Sequence, residues 1–154
     1  MEEFALQWKI GHTGTAADLI MTASGRTVTV HTTYLGDGLG ELVRSALDLL
    51  RGSRSSIALL LSEPGGTWLF FTDSRHHVFL QLVEFPNVWS ESLWAGGSLV
   101  WSGRIGVNQY AYESLKIAEG ALEYYGDAEF YLAKWGARFP AEEVSEVRDL
   151  LRAA

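Results

Sequence analysis

Histidine and carboxylate side chains are the groups in this sequence best suited to acid–base or metal chemistry. The chain of 154 residues has four histidines, namely His12, His31, His76 and His77. His76 and His77 are adjacent in a segment with strand character, so their side chains point to opposite faces and cannot act as neighbouring ligands. A polar ligand pocket would need His77 to converge with Glu84 or Asp73. Solvated histidines are the plainer interpretation, and we predict no catalytic residue and no metal site.

A glycine-rich segment, Gly36-Asp37-Gly38-Leu39-Gly40, follows a predicted strand and opens a predicted helix. In the dinucleotide fingerprint G-x-G-x-x-G, bare N–H groups at such a helix start hold the pyrophosphate. This segment has the spacing G-x-G-x-G, and Asp37 and Glu41 would place negative charge beside the phosphates. The neighbouring strands also read as hairpins, not as a parallel βαβ unit. We therefore predict a turn capped by Asp37 or a neighbouring glycine, and no cofactor.

Several catalytic and redox classes have no sequence support. The chain has no cysteine, which excludes disulfides, thiolate nucleophiles and thiolate-held metals. It has no serine in a G-x-S-x-G elbow and no H-E-x-x-H motif. We therefore assign no catalytic role to any residue.

The charge balance is acidic, with 19 acidic against 12 basic residues and a net charge of −7. Such a charge argues against nucleic acids and anionic membranes as partners, and it attracts basic proteins. The longest aliphatic run, residues 57–61, is far shorter than the roughly 20 residues that a membrane span needs. Since the acidic start also lacks the features of a secretory signal, we expect a cytoplasmic protein.

Aromatic residues are the most informative feature for binding. Residues 86–97 form a predicted loop between two strands that is longer than most hairpin loops. It carries four large apolar side chains: Val88, Trp89, Leu93 and Trp94. Tryptophan is enriched at binding hot spots, so these four are candidate partner-binding residues. The alternative is that they form a lid that completes the core.

Apolar periodicity predicts seven strands and four helices. The strands fall near residues 4–10, 19–23, 28–34, 56–63, 67–72, 75–85 and 97–107. The helices fall at 37–51, from an N-cap at Asn108 to about 125, at a short segment ending near Trp135, and from Pro140 onward. Gly120, on the polar stripe of the second helix, either marks the close approach of another segment or is a tolerated glycine without a role, and we prefer the second interpretation. Both faces of 75–85 carry apolar residues, which indicates an interior strand that is at least partly covered on both sides.

These elements predict a single α+β domain over residues 1–154. We expect an antiparallel sheet of about seven strands in the order three strands, one helix, four strands, three helices. The helices are expected to pack mainly on one face of that sheet.

Two segments resemble a group of small bacterial proteins of about this length. They are residues 34–39 leading into the first helix, and residues 124–135 followed by Phe139-Pro140-Ala141-Glu142. The resemblance implies a compact bacterial α+β domain, and no established activity comes with it. In size, acidity and lack of catalytic motifs, the chain also resembles immunity proteins that neutralise toxins.

The sequence therefore predicts a non-enzymatic protein-binding domain, with an immunity-type inhibitor of a basic partner as its specific form. The alternative is a small-molecule-binding domain or small enzyme. Its pocket would lie between sheet and helices or under the 86–97 loop, with His77, Glu84 and Asp73 as lining residues. A homodimer that buries the uncovered sheet face is a further alternative.

Overall fold

The computed structural model describes residues 3–87 and 96–154, and within them the chain forms seven strands and four helices. The elements are β1 (Phe4–Ile10), β2 (Ala16–Ala23), β3 (Arg26–Thr33), α1 (Gly38–Leu50), β4 (Ser56–Ser62), β5 (Gly65–Thr72), β6 (His77–Phe85), β7 (Ser98–Gly106), α2 (Val107–Tyr125), α3 (Ala128–Trp135) and α4 (Ala141–Ala153). The α+β class and the predicted order of elements are confirmed.

The strands form two antiparallel sheets, so the prediction of one seven-stranded sheet is wrong. Sheet A has the order β1-β2-β3 and sheet B the order β4-β5-β6-β7. The break falls between β3 and β4, where side chains occupy the edge of β4. The Thr32 hydroxyl donates to the carbonyl oxygen of Leu61 at 2.8 Å, and the Leu59 N–H donates to the Glu41 carboxylate at 2.8 Å. Because these backbone groups are already satisfied, the strand ladder does not continue into β3.

One hydrophobic core lies between the two sheets and the helices. Alternate residues of each strand are buried in it, including Leu19, Val30, Leu60, Phe71 and Leu80. Helix α1 contributes an apolar stripe with Leu39, Leu42, Val43, Ala46 and Leu47. Tyr110 of α2 links the sheets, because its ring centroid lies 6.5 Å from that of Phe4 and 4.8 Å from that of Phe71. The helices therefore cover the inner face of each sheet.

The C-terminal helices are attached to sheet A by aromatic side chains. Trp135 donates from Nε1 to the Tyr125 hydroxyl at 2.7 Å, and that hydroxyl donates to the carbonyl oxygen of Gly14 at 2.8 Å. Gly14 has φ +77° in the β1–β2 turn, a backbone conformation that favours glycine. The Trp8 and Trp135 rings lie 6.0 Å apart. These contacts fix α2 and α3 beside β1.

Among the helices in the described part of the chain, none combines the length and apolarity needed to cross a membrane.

Candidate functional site

The predicted partner-binding residues fall outside the residues that the structure describes. Val88, Trp89, Leu93 and Trp94 all belong to positions 88–95, between the end of β6 and the start of β7. Their role in binding stays a prediction.

The structure does not bring together the three residues of the predicted ligand pocket. His77 begins β6 and Glu84 lies seven residues further along the same strand. At about 3.3 Å per residue, their Cα atoms are about 23 Å apart, and an odd spacing puts their side chains on opposite faces. His77 and Glu84 therefore cannot act on one small ligand.

Asp73 is held in a structural contact at the turn before β6. Arg104 of β7 donates to the Asp73 carboxylate at 3.2 Å and to the carbonyl oxygens of Asp73 and His77 at 3.1 Å each. Asp73 has φ +50°, a left-handed conformation that aspartate tolerates better than most residues. The Arg104 guanidinium thus ties β7 to the turn, and the Asp73 carboxylate is neutralised by it.

The clefts around these residues are separate. Glu84 lines a cleft of about 350 Å³ with His31 and Phe85, whereas His77 lines another of about 270 Å³ with Arg104. His31 is already bonded to Asp18, with 2.7 Å between its Nδ1 and the carboxylate. Over residues 3–87 and 96–154, no three histidine, aspartate or glutamate side chains are grouped closely enough to hold a metal ion.

The glycine-rich segment forms a capped helix start. The Gly40 N–H donates to the Asp37 carboxylate at 3.2 Å, so Asp37 is the N-cap of α1 as predicted. Arg44 donates to the same carboxylate at 2.9 Å. The carboxylate therefore occupies the position where a phosphate would bind the N-terminus of this helix.

The outer faces of the two sheets differ sharply in chemistry. The outer face of sheet A is mostly polar, with Gln7, Lys9, Asp18, Thr22, Thr27, Thr29 and His31. The outer face of sheet B also carries Gln81, Ser102 and Arg104, but apolar side chains predominate on it, and we name these apolar residues the apolar face. It consists of Ile57, Leu59, Leu61, Trp68, Phe70, Phe79, Val83 and Leu99. One molecule thus carries one outer sheet face suited to water and one suited to apolar contact.

Large apolar side chains reach solvent on the apolar face. Ile57 is 49% exposed and Leu99 is 57% exposed, although both belong to strands. Trp68 stacks on Phe70 with 5.8 Å between ring centroids, which gives the centre of the face a flat aromatic surface. In the part of the chain that the structure describes, the helices pack on the opposite, inner side of sheet B.

Sequence reasoning recognised part of this surface. The apolar residues on both sides of 75–85 were a visible signal, and they predicted an interior strand covered on both sides. In the structure, helices cover the inner side of β6, while Phe79 and Val83 belong to the apolar face. The contributions of Ile57 and Leu99 were missed. Ile57 stands in a continuous apolar run, and a register shift in β7 puts Leu99 on the face opposite to buried Trp101.

A second surface is a groove between the edge of β1 and helix α2. It has a volume of about 450 Å³ and is lined by Leu6, Gln7, Trp8 and Ile10 of β1 and by Lys116, Ile117, Gly120, Ala121 and Tyr124 of α2. At one end of the groove, two hydrogen bonds join β1 to α2. The Leu6 N–H donates to Glu113 at 2.9 Å, and Gln109 donates to the carbonyl oxygen of Phe4 at 3.2 Å. This groove could not be predicted from the sequence, because its strand and its helix are about 100 residues apart.

Comparisons of this chain with protein-family models, with curated proteins and with solved structures gave no match. The resemblance of residues 34–39, 124–135 and 139–142 to a bacterial group therefore stays a prediction. The function is argued from the surfaces of the molecule alone.

Proposed function

We propose that this protein is a protein-binding domain, and that the apolar face of sheet B is its binding surface. The observation that carries the proposal is the contrast between the two outer sheet faces. Threonines and charged groups occupy one, while Ile57, Trp68, Leu99 and their neighbours occupy the other. Since exposed apolar area on a sheet costs free energy in water, such a surface is typical of an interaction site.

The outer face of sheet B, which holds the apolar face, has the size of the centre of a protein interface. Four strands about 4.8 Å apart and about seven residues long give a face of roughly 14 by 23 Å. Interfaces of ordinary size bury about 800 Å² on each partner, with an apolar centre and a polar rim. Trp68 at the middle supplies the type of anchor that dominates binding energy.

We propose a basic protein with an apolar patch as the partner, in the manner of an immunity-type inhibitor. The net charge of −7 accelerates encounter with such a partner by long-range attraction. The apolar face then supplies most of the affinity. Association should therefore slow as salt is added, while dissociation should change little.

Partner capture from the native cells with matched variants tests the proposal. The wild type and Thr27→Glu, a control on the exposed polar face of sheet A, should retain the same cationic protein. Leu99→Glu should lose it while keeping the circular dichroism spectrum of the wild type. A captured protein that binds Leu99→Glu as well as the wild type would contradict the proposal.

Sedimentation velocity separates a different partner from a second copy of this chain. We expect a monomer at micromolar concentration for the wild type and for Leu99→Glu. A wild-type dimer that Leu99→Glu dissociates would assign the apolar face to self-association instead.

Among the residues that the structure describes, no observation favours the alternative of a small-molecule site or small enzyme; most of the 86–97 loop, under which one such pocket was predicted, lies outside them. His77 and Glu84 lie at opposite ends of one strand, and the Asp73 carboxylate is paired with Arg104.

A further inference from the structure

We propose that the groove between β1 and α2 binds an extended, acidic peptide segment of a partner protein, which adds to sheet A as a fourth strand beside β1. This site lies on sheet A, whereas the apolar face belongs to sheet B, so it goes beyond the proposed function. Strand addition of this kind uses main-chain hydrogen bonds for affinity and side-chain pockets for specificity.

Backbone groups at the edge of β1 carry the proposal. In an antiparallel pair, alternate residues direct their N–H and C=O groups away from the partner strand. The Leu6 N–H bonds to Glu113, and the Phe4 carbonyl oxygen accepts from Gln109, so the even-numbered residues face outward. The same alternation directs the backbone groups of Trp8 and Ile10 into the groove. Neither N–H has a hydrogen-bond partner among the residues that the structure describes.

At the edge of β4, by contrast, side chains form hydrogen bonds with backbone groups that no neighbouring strand pairs with. Glu41 accepts from the Leu59 N–H and Thr32 donates to the Leu61 carbonyl oxygen. On β1 the equivalent capping by Glu113 and Gln109 stops at Leu6. The uncapped half of β1 is the half that lines the groove.

Gly120 leaves room for an added strand. It lies in the interior of the 19-residue helix α2, where glycine is less favourable than alanine. A Cβ atom at this position would meet no atom within 4 Å, so packing among the described residues does not require the glycine. The bare helix surface faces the groove and allows a peptide backbone to approach closely. In this proposal Gly120 marks the close approach of another segment, the peptide.

The lining of the groove indicates what the peptide carries. Trp8, Ile10, Ile117 and Ala121 form an apolar floor that suits one or two aliphatic side chains. This floor is the part of the groove that would contact the peptide side chains.

The charge that lines the groove favours an acidic peptide segment. Lys116 is the one charged residue that lines the groove, in a chain whose net charge is −7. Glu113 accepts from the Leu6 N–H at 2.9 Å and is paired with Lys116 at 3.1 Å, so its charge is shared between two donors. The Lys116 side chain is 51% exposed. A peptide carboxylate beside Lys116 gains attraction that a basic peptide would not.

A random 12-residue peptide library displayed on phage and selected on the immobilised protein tests the proposal. We expect enriched peptides with alternating apolar residues and with aspartate or glutamate. Synthetic copies should bind Gly120→Leu at least 10-fold more weakly than the wild type, although this variant should melt at a higher temperature. Asn108→Leu adds leucine to an exposed position of the same helix outside the groove without changing the charge, and it should bind like the wild type.

Amide hydrogen exchange, measured by nuclear magnetic resonance, tests the added strand directly. A purely structural role of Gly120 would not change the exchange rates at the edge of β1 when the peptide is added. The Trp8 and Ile10 N–H groups should exchange at least 10-fold more slowly in the peptide complex. Leu99→Glu should bind the peptides unchanged, which separates this site from the apolar face. No enrichment, equal binding to Gly120→Leu, unchanged exchange at Trp8, or enrichment of basic peptides would each overturn the proposal.

Discussion

At the scale of single residues, buried polar groups in this protein are used mainly to end strands and join elements. Glu113 is almost fully buried in α2, yet its carboxylate is bonded to the backbone of β1 and to Lys116. A buried acceptor matters most through the donor that it satisfies, because an unsatisfied N–H keeps its full cost of desolvation. This explains why a charged residue is tolerated against the core.

Replacing Glu113 should therefore destabilise the fold far more than replacing an exposed glutamate of the same helix. Glu113→Ala leaves the Leu6 N–H without its partner, and we expect it to lower the free energy of unfolding by about 1–3 kcal/mol. Glu119, which is paired with Arg148 at the surface, is the matched control, and its alanine variant should cost about 0–1 kcal/mol. Urea unfolding measures both. Equal losses would show that the Leu6 contact contributes nothing.

Buried tyrosines should make the fold sensitive to alkali. Burial raises the pKa values of Tyr110 and Tyr131 well above the ordinary value of 10. Above pH 10 the unfolded chain loses these protons while the folded chain keeps them, so the free energy of unfolding should fall as pH rises. The slope is about 1.4 kcal/mol per pH unit for each tyrosine, and below pH 10 this contribution is complete.

Urea unfolding of Tyr110→Phe between pH 8 and 11 checks that expectation. The variant should show a shallower loss of stability above pH 10 than the wild type. Tyr112→Phe changes a tyrosine that is 52% exposed, so it should follow the wild-type curve. Identical slopes for Tyr110→Phe and the wild type would contradict the assignment.

At the scale of elements, the hydrophobic periodicity of the sequence predicted individual strands and helices better than it predicted which strands pair. The alternation in Phe4–Ile10 and the stripe of Leu39, Leu42 and Leu47 each bury one face, so β1 and α1 were predictable from period alone. The break between β3 and β4 was not predictable in this way. It depends on contacts of Thr32 and Glu41 with the edge of β4, and these groups come together only in the folded chain. Asn108 was wrongly predicted as an N-cap, since α2 begins at Val107 directly after extended Gly106.

The cap of α1 gives a prediction at this scale. Asp37→Ala should lower the free energy of unfolding by about 1 kcal/mol, because the Gly40 N–H and Arg44 both lose their acceptor. Asp37→Asn keeps a capping oxygen and should recover most of that loss. Thermal unfolding of both variants measures the effect. An asparagine variant as unstable as the alanine variant would assign the stabilisation to the Arg44 ion pair.

At the scale of the whole molecule, the two outer sheet faces divide the surface into a polar and an apolar side. Sequence composition shows that apolar residues are plentiful, but it cannot show which of them the helices leave uncovered. Ile57 and Leu99 have the same residue types as core positions, and only the pairing of β4 with β5 and of β6 with β7 puts them on one outer face. For the same reason, the groove beside β1 could not be found before the chain was folded.

The dissociation constant of the captured basic partner, measured by calorimetry for three forms of this protein, tests the central claim most directly. Relative to the wild type, Leu99→Glu should weaken binding by about 30-fold or more, because it puts an unpaired charge into an apolar interface. Thr27→Glu adds the same charge on the outer face of sheet A and should change the constant less than twofold. Equal weakening by both variants, or none by Leu99→Glu, would contradict the claim that the apolar face of sheet B is where this protein binds.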